Sequence, residues 1–284
     1  MSQQAVKQAR QQKITRECHF LPVCYQRPFT NADGELFVQF LDKDKPIPLH
    51  PRVVGKINDF YTRTINGVDD DEIEKFFNSF VEGEYAAIAK RIGEEKSEFV
   101  LQPNDVATLL KFVATQVVRT QAHLHCINQQ AGMKVPPEIF HHNIHRKMKM
   151  IADKWLRQTP DVILWTPLPR LRSHFITGDN PVLCFSHDKN APSVQRPVPP
   201  MPKIIDLSVS LESSHNGFMV ALSPYICLTV INSAKRDLIT LRPAQCTDAN
   251  KVKEFNRMIY NQCVQFVAAQ DSEHLSFHVR RTGG

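Results

Sequence analysis

The chain has 284 residues, 42% apolar and 23% charged, the balance of an ordinary soluble globular protein with enough length to bury a real core. Of its net charge of +6, Lys7, Arg10, Lys13 and Arg16 supply +4 from a tail without acids, leaving +2 on the body, so charge alone does not argue for phosphate binding. The 7 cysteines are odd in number, scattered and without a CxxC pair, which argues against both a disulfide framework and a cysteine zinc site.

Residues 1–16 are rich in Gln and basic groups and are expected to form a flexible segment or a weak surface helix. MSQQAVKQARQQK lacks the apolar stretch of a signal peptide, and the longest apolar run, FMVALSPYICLTVI, is broken by Ser-Pro. We therefore expect a reduced, cytoplasmic protein with no membrane partner. Residues 17–284 are expected to form a single α+β domain, with N-terminal strands, a helical part over about 68–158, and an antiparallel or mixed sheet part over about 160–284.

Residues 17–66 read as strands and turns, with ELFVQFLDKD (35–44) following an Asn-Ala-Asp-Gly turn. Three helices are predicted near 69–92, 103–131 and 137–157, opened by Asp69–Asp71, by Asn104 and Asp105, and by Pro136–Pro137. After Thr159-Pro160 the segments DVILWTP, RSHFITG, PVLCF, PKIIDLSV, GFMVALS and YICLTVIN read as strands. The proline-rich stretch 191–202 reads as an extended surface loop or a lid. A helix over about 247–262 leads into a last strand, CVQFVAAQD.

Helical phase points to polar groups on apolar faces. Counting 100° per residue, Ile73, Phe76, Phe77, Phe80, Ala87 and Ile88 form a stripe, and Glu84 falls about 20° from its centre. Glu74 lies at the margin and Glu82 faces away. In the next helix Phe112, Gln116, Arg119 and His123 form a line beside the core face, and Asn256 sits inside the stripe of Val252, Phe255, Ile259 and Cys263. A buried charge needs a partner. A Glu84–Arg119 pair bridged by Gln116 and Asn256 would either fix helix docking or form a working centre. Asp179, in the Gly-Asp-Asn-Pro turn of RSHFITGDNPVLCF, fits turn chemistry or a reacting group at a strand end.

Seven segments in order, HFLPVCYQRPF (19–29), DFY (59–61), the helix with Glu74 and Glu84, FVATQVVRT (112–120), FITGDNPV (175–182), LSPYICL (222–228) and the Asn256 helix, together resemble the domain-of-unknown-function family 4238 over about residues 17–270. VCYQRPF departs from the family pattern, which has Gln before the Tyr and Leu after it, so Cys24 and Gln26 carry no transferred role. The resemblance brings no activity, substrate or cofactor. It implies that His19, Glu84, Gln116, Arg119, Asp179 and Asn256 belong to one recurrent set.

Other signals are weaker. His141 and His145 have i, i+4 spacing suited to a shared metal, but the intervening Glu of an HExxH helix is absent, and a solvated helix edge explains them better. The basic face of Arg146, Lys147, Lys149, Lys154 and Arg157 suits solvent as well as phosphate. The chain holds no GxxxxGK[ST] or GxGxxG loop and no GxSxG elbow, so no nucleotide cofactor is indicated.

The leading expectation is a metal-assisted phosphodiester hydrolase, a nuclease acting on nucleic acid and a candidate bacterial defence or toxin effector. Glu84 and Asp179 would hold Mg²⁺ or Mn²⁺, His19 would act as general acid or base, Arg119 would grip the phosphate, and Gln116 and Asn256 would orient the groups. The alternative is a non-enzymatic module that binds a small anion or a protein partner, its polar network being structural. A catalytic cluster should converge on solvent, whereas an architectural one should be sealed and fully hydrogen-bonded.

Overall fold

The structure is a computed structural model and describes residues 15–65, 67–157, 160–168, 173–186, 216–231 and 240–275. The tail before Thr15, the proline-rich stretch 191–202, the predicted strand PKIIDLSV and the side chains of His141 and His145 lie outside the described part.

The described part opens with β1 (Glu17–His19), the short helix α1 (Val23–Gln26), β2 (Leu36–Phe40), β3 (Ile47–Leu49), β4 (Lys56–Asn58), β5 (Arg63–Ile65) and β6 (Val68–Asp70). The Asn-Ala-Asp-Gly turn before β2 forms as its residues dictate. Asn31 Oδ1 accepts from the Asp33 and Glu35 amides at 2.9 and 3.0 Å, and Gly34 takes φ +77, which a side chain would disfavour. Helices α2 (Glu72–Phe76) and α3 (Gly83–Glu95) are joined through a π-helical turn at Phe77–Glu82. Then come α4 (Pro103–Val118), opened by a reciprocal Gln102–Asp105 cap, α5 (Gln121–Ala131) and α6 (Pro137–Arg157).

The predicted helix over 103–131 is two helices. Thr120 leaves helical geometry, with ψ at 157°, and its hydroxyl caps α5 by accepting from the His123 amide at 3.2 Å. The run of Val117 and Val118 before it weakens helix continuation. The Arg119 carbonyl accepts from the Tyr61 hydroxyl at 2.7 Å, so the break leaves that buried group satisfied.

The sheet region holds β7 (Asp161–Pro167), β8 (Thr177–Gly178), β9 (Val182–Ser186), β10 (Asn216–Ser223), β11 (Ile226–Ile231) and β12 (Thr240–Thr247), followed by α7 (Ala249–Gln262) and β13 (Phe266–Ala269). One sheet has the order β12-β7-β11-β10-β9, antiparallel except for the parallel β12–β7 pair. Sequence reading missed β12 because of Pro243. An edge strand tolerates proline, and the register shifts between Arg242 and Gln245. The second sheet has the order β3-β2-β13-β8, so the last strand returns to the first residues, with Phe266 opposite Phe40. The fold is α+β, and helices and sheets share one core cluster. Among the described residues no helix is long and apolar enough to cross a membrane.

Candidate functional site

The polar residues gather into two centres. The first surrounds Arg119 at the end of α4. Its side chain is 0% exposed, and its guanidinium stands 4.5 Å from the Phe77 ring centroid and 5.8 Å from that of Tyr61. Nη1 donates to Glu82 Oε1 at 2.9 Å, and Nη2 donates to the His19 carbonyl. Burial alone would lower the affinity of this guanidinium for its proton, but Tyr61, Glu82 and Glu74 together raise it, so the charge is held.

The partner is therefore Glu82, and the predicted Glu84–Arg119 pair is corrected. The π turn supplies the reason. The Gly83 amide bonds back to the Asn78 carbonyl, so this turn takes one residue more than an α turn. A phase counted through it slips by about 100°, one residue's rotation. Glu82 swings onto the inner face beside Glu74, and Glu84 swings out. The buried positions are Glu74, Phe77, Val81, Tyr85, Ile88, Ala89 and Ile92. Phe80, placed in the predicted stripe, is 61% exposed. Glu84 is 44% exposed and pairs with Lys111 at 3.3 Å on the surface.

Two carboxylates thus face one guanidinium. Burial pushes the Glu74 carboxyl up to about 7 against the pull of Arg119, and Glu82 adds to the rise. The guanidinium is sealed from solvent, but the centre is incompletely bonded. Glu74 Oε2 and Arg119 Nε are buried without a hydrogen-bond partner among the described residues, and so are both polar atoms of Gln116, three residues before Arg119 on α4. His19 contributes its backbone carbonyl. Its imidazole turns to the Arg52 carbonyl at 3.1 Å, and burial pushes its pKa down. An acid–base role for His19 at the Arg119 centre finds no support in that geometry.

The second centre is built at the other end of the polar set. The Asp179 carboxylate accepts from the Val264 amide at 3.0 Å and the Gln265 amide at 2.5 Å, and its own amide donates to the Phe266 carbonyl at 3.2 Å. Burial raises its carboxyl to about 6, although those amides pull the other way. Gly178 before it must be glycine, because a Cβ there would overlap Cys263 Sγ and the Phe266 carbonyl oxygen. Asp179 therefore staples the β8 corner to the start of β13. The metal pair of Glu84 and Asp179 is corrected too. One carboxylate faces solvent beside Lys111, the other is occupied by backbone amides, and no described contact joins them.

Asn256, on the inner face of α7, grips the same corner. Its Nδ2 donates to the His174 carbonyl at 2.8 Å, and its Oδ1 accepts from the Ile176 amide at 3.1 Å. This holds the segment before β8 so that the His174 ring meets the turn after β13. There His174, Asp271 and His274 bring three ligand atoms within 4.8 Å of one another, all half-buried. His274 Nδ1 lies 2.5 Å from Asp271 Oδ1, and His174 Nδ1 lies 3.8 Å from Asp271 Oδ2. The two imidazoles stack at 4.6 Å between centroids. Burial first, then His274, pushes the His174 pKa down, against the opposing pull of Asp271.

Two imidazoles and one carboxylate are a donor set for Zn²⁺ or Fe²⁺ more than for Mg²⁺, and three protein ligands leave coordination positions for water. None of the three was singled out from sequence. The available signal was Asp271-x-x-His274, whose i, i+3 spacing puts both on one side of a turn, with His174 just upstream of the Asp179 motif.

Of the six predicted residues, His19 and Arg119 meet at the first centre, Gln116 is buried three residues before Arg119 on α4, Asp179 and Asn256 frame the second centre, and Glu84 belongs to neither. No curated protein and no solved structure matches the chain. The family described as a protein of unknown function (DUF4238) matches residues 18–273 of the 284, and the chain belongs to that family.

Proposed function

We propose that the protein is a metal-dependent hydrolase of phosphodiesters whose cation is held by His174, Asp271 and His274. The observation that carries this reading is the convergence of the three ligand atoms within 4.8 Å at a half-buried, solvent-reachable corner. A divalent cation in such a site lowers the pKa of a bound water to about 7. The chain's own part is to hold the three ligands, with Asn256 fixing the His174 backbone and Asp179 fixing the base of β13. Support for an anionic substrate comes from α7, whose exposed face carries Lys251, Lys253 and Arg257 against Glu254 alone. Nucleic acid is the polymer with that chemistry.

The test uses the full chain freed of metal by a chelator. Co²⁺ or Zn²⁺ should bind one per chain and restore hydrolysis of bis(p-nitrophenyl) phosphate and of single-stranded oligonucleotides. His274→Ala and Asp271→Asn should each abolish both. Failure of the wild-type chain to bind either ion at stoichiometric concentration would sink the proposal. Binding without hydrolysis would favour the second reading, a non-enzymatic binding module. That reading has an observation of its own, the complete burial of the Arg119 guanidinium, ion-paired to Glu82, away from solvent.

A further inference from the structure

Tyr225 lies at the tip of the β10–β11 hairpin, where its amide donates to Ser223 Oγ at 3.2 Å. This fixes the turn and sends the side chain across to the metal corner. Its ring meets the His174 ring edge-on, with centroids 4.8 Å apart and planes at 69°. Its hydroxyl reaches the other arm of the site, donating to Gln270 Oε1 at 3.0 Å. Gln270 immediately precedes Asp271 and is itself anchored, its Nε2 donating to the Thr30 carbonyl at 3.0 Å. One side chain therefore touches both segments that bear ligands, which lie about a hundred residues apart in the chain.

We propose that Tyr225 is the positioning residue of the metal site, its ring setting the angle of His174 and its hydroxyl, through Gln270, setting the segment of Asp271. The inference rests on the reading of His174, Asp271 and His274 as metal ligands. Groups that orient ligands from outside the coordination sphere change metal affinity by roughly 10–100-fold when removed. The two contacts of Tyr225 are separable. Tyr225→Phe keeps the ring against His174 and loses the bond to Gln270, and Tyr225→Leu loses both.

Co²⁺ titration of the metal-free full chain, followed by the visible absorption of the bound ion, measures affinity and ligand geometry together. Tyr225→Phe should weaken Co²⁺ binding about tenfold and shift the absorption envelope, and Tyr225→Leu should approach a hundredfold. Gln270→Met loses the tyrosine bond and the anchor to Thr30, so it should weaken binding at least as much as Tyr225→Phe, and adding Tyr225→Phe to it should cost little more, because that bond is already gone. Thermal melting of each metal-free variant runs alongside. Wild-type affinity and spectrum in both tyrosine variants would overturn the inference, as would an affinity loss accounted for by the unfolded fraction alone. The outcomes separate the two claims: unchanged tyrosine variants beside a His274→Ala chain that binds no Co²⁺ overturn only the positioning role. A wild-type chain without Co²⁺ binding overturns both.

Discussion

The Arg119 centre and the His174–Asp271–His274 corner are both polar clusters set in apolar surroundings, yet they differ in almost every physical respect. In the first, a guanidinium lies between aromatic faces, wholly screened from solvent, with two carboxylates aimed at it from one irregular helix. In the second, the groups are imidazoles and a carboxylate at the rim of two sheets, half-exposed and brought together from distant segments. A full charge inside a core is held because removing its counter-charge would be ruinous, which makes it a device for docking helices. Imidazoles and a carboxylate converging where water can reach them serve a different purpose, since a cation can enter and retain open positions. The contrast separates architecture from chemistry better than burial alone.

The largest expected effect breaks the first centre. Arg119→Ala leaves Glu82 and Glu74 facing an apolar interior without their cation and should cost about 3–5 kcal/mol in urea unfolding. Co²⁺ affinity of the folded fraction should stay at the wild-type value. The opposite result, unchanged stability with lost metal binding or hydrolysis, would erase the distinction between the regions.

Next is the staple at the second centre. Asp179→Ala takes the buried carboxylate acceptor away from the amides of Val264 and Gln265 and should cost about 1–3 kcal/mol. Unlike the Arg119 variant, it should also weaken Co²⁺ binding, because β13 leads directly into Asp271. A melting curve and a Co²⁺ titration on one sample separate the two consequences.

The third prediction concerns pH. Glu74 has its carboxyl raised by burial from an ordinary 4.5 to about 7, so the folded state holds this proton more tightly than the unfolded state does. The resulting stabilisation is complete below pH 4.5 and is lost as pH rises through 7. Glu74→Gln, which cannot ionise, should match the wild type near pH 5 and exceed it at pH 8 by about 1–3 kcal/mol. A variant less stable than wild type at pH 8 would mean that the second carboxylate is needed in its charged form by Arg119.

How much of this was readable from sequence follows from what each signal depends on. Strand β7 coincides with DVILWTP, and α6 and β13 fall where predicted, because local pattern decides them. Asn256 is buried on the stripe where its helical phase puts it, whereas Asp179 reads from sequence only as a turn or strand-end residue, and its burial is a finding of the structure. Glu84 failed for a nameable reason. Its position was extrapolated across a π turn, and nothing in Phe77–Glu82 announces a change from i→i+4 to i→i+5 bonding. The histidine–aspartate group was invisible for another. His174 and His274 are a hundred residues apart, and the long-range pairing of β13 between β2 and β8 brings their segments together.

The smallest expected effect is also the sharpest check on that diagnosis. Glu84→Ala removes a surface pair whose members, Glu84 and Lys111, are both close to half exposed. Such pairs gain little in high dielectric and lose it to side-chain entropy and salt, so the variant should unfold within about 0.5 kcal/mol of wild type. The neighbouring Glu82→Ala gives the contrast, because it strips the only described carboxylate hydrogen-bonded to Arg119 and should cost several times more. Two glutamates two residues apart then differ in stability because of one additional residue in one helical turn. Equal costs for the two would mean that the π turn does not exist in solution. A larger cost for Glu84 would restore the regular helix on which the original phase was counted.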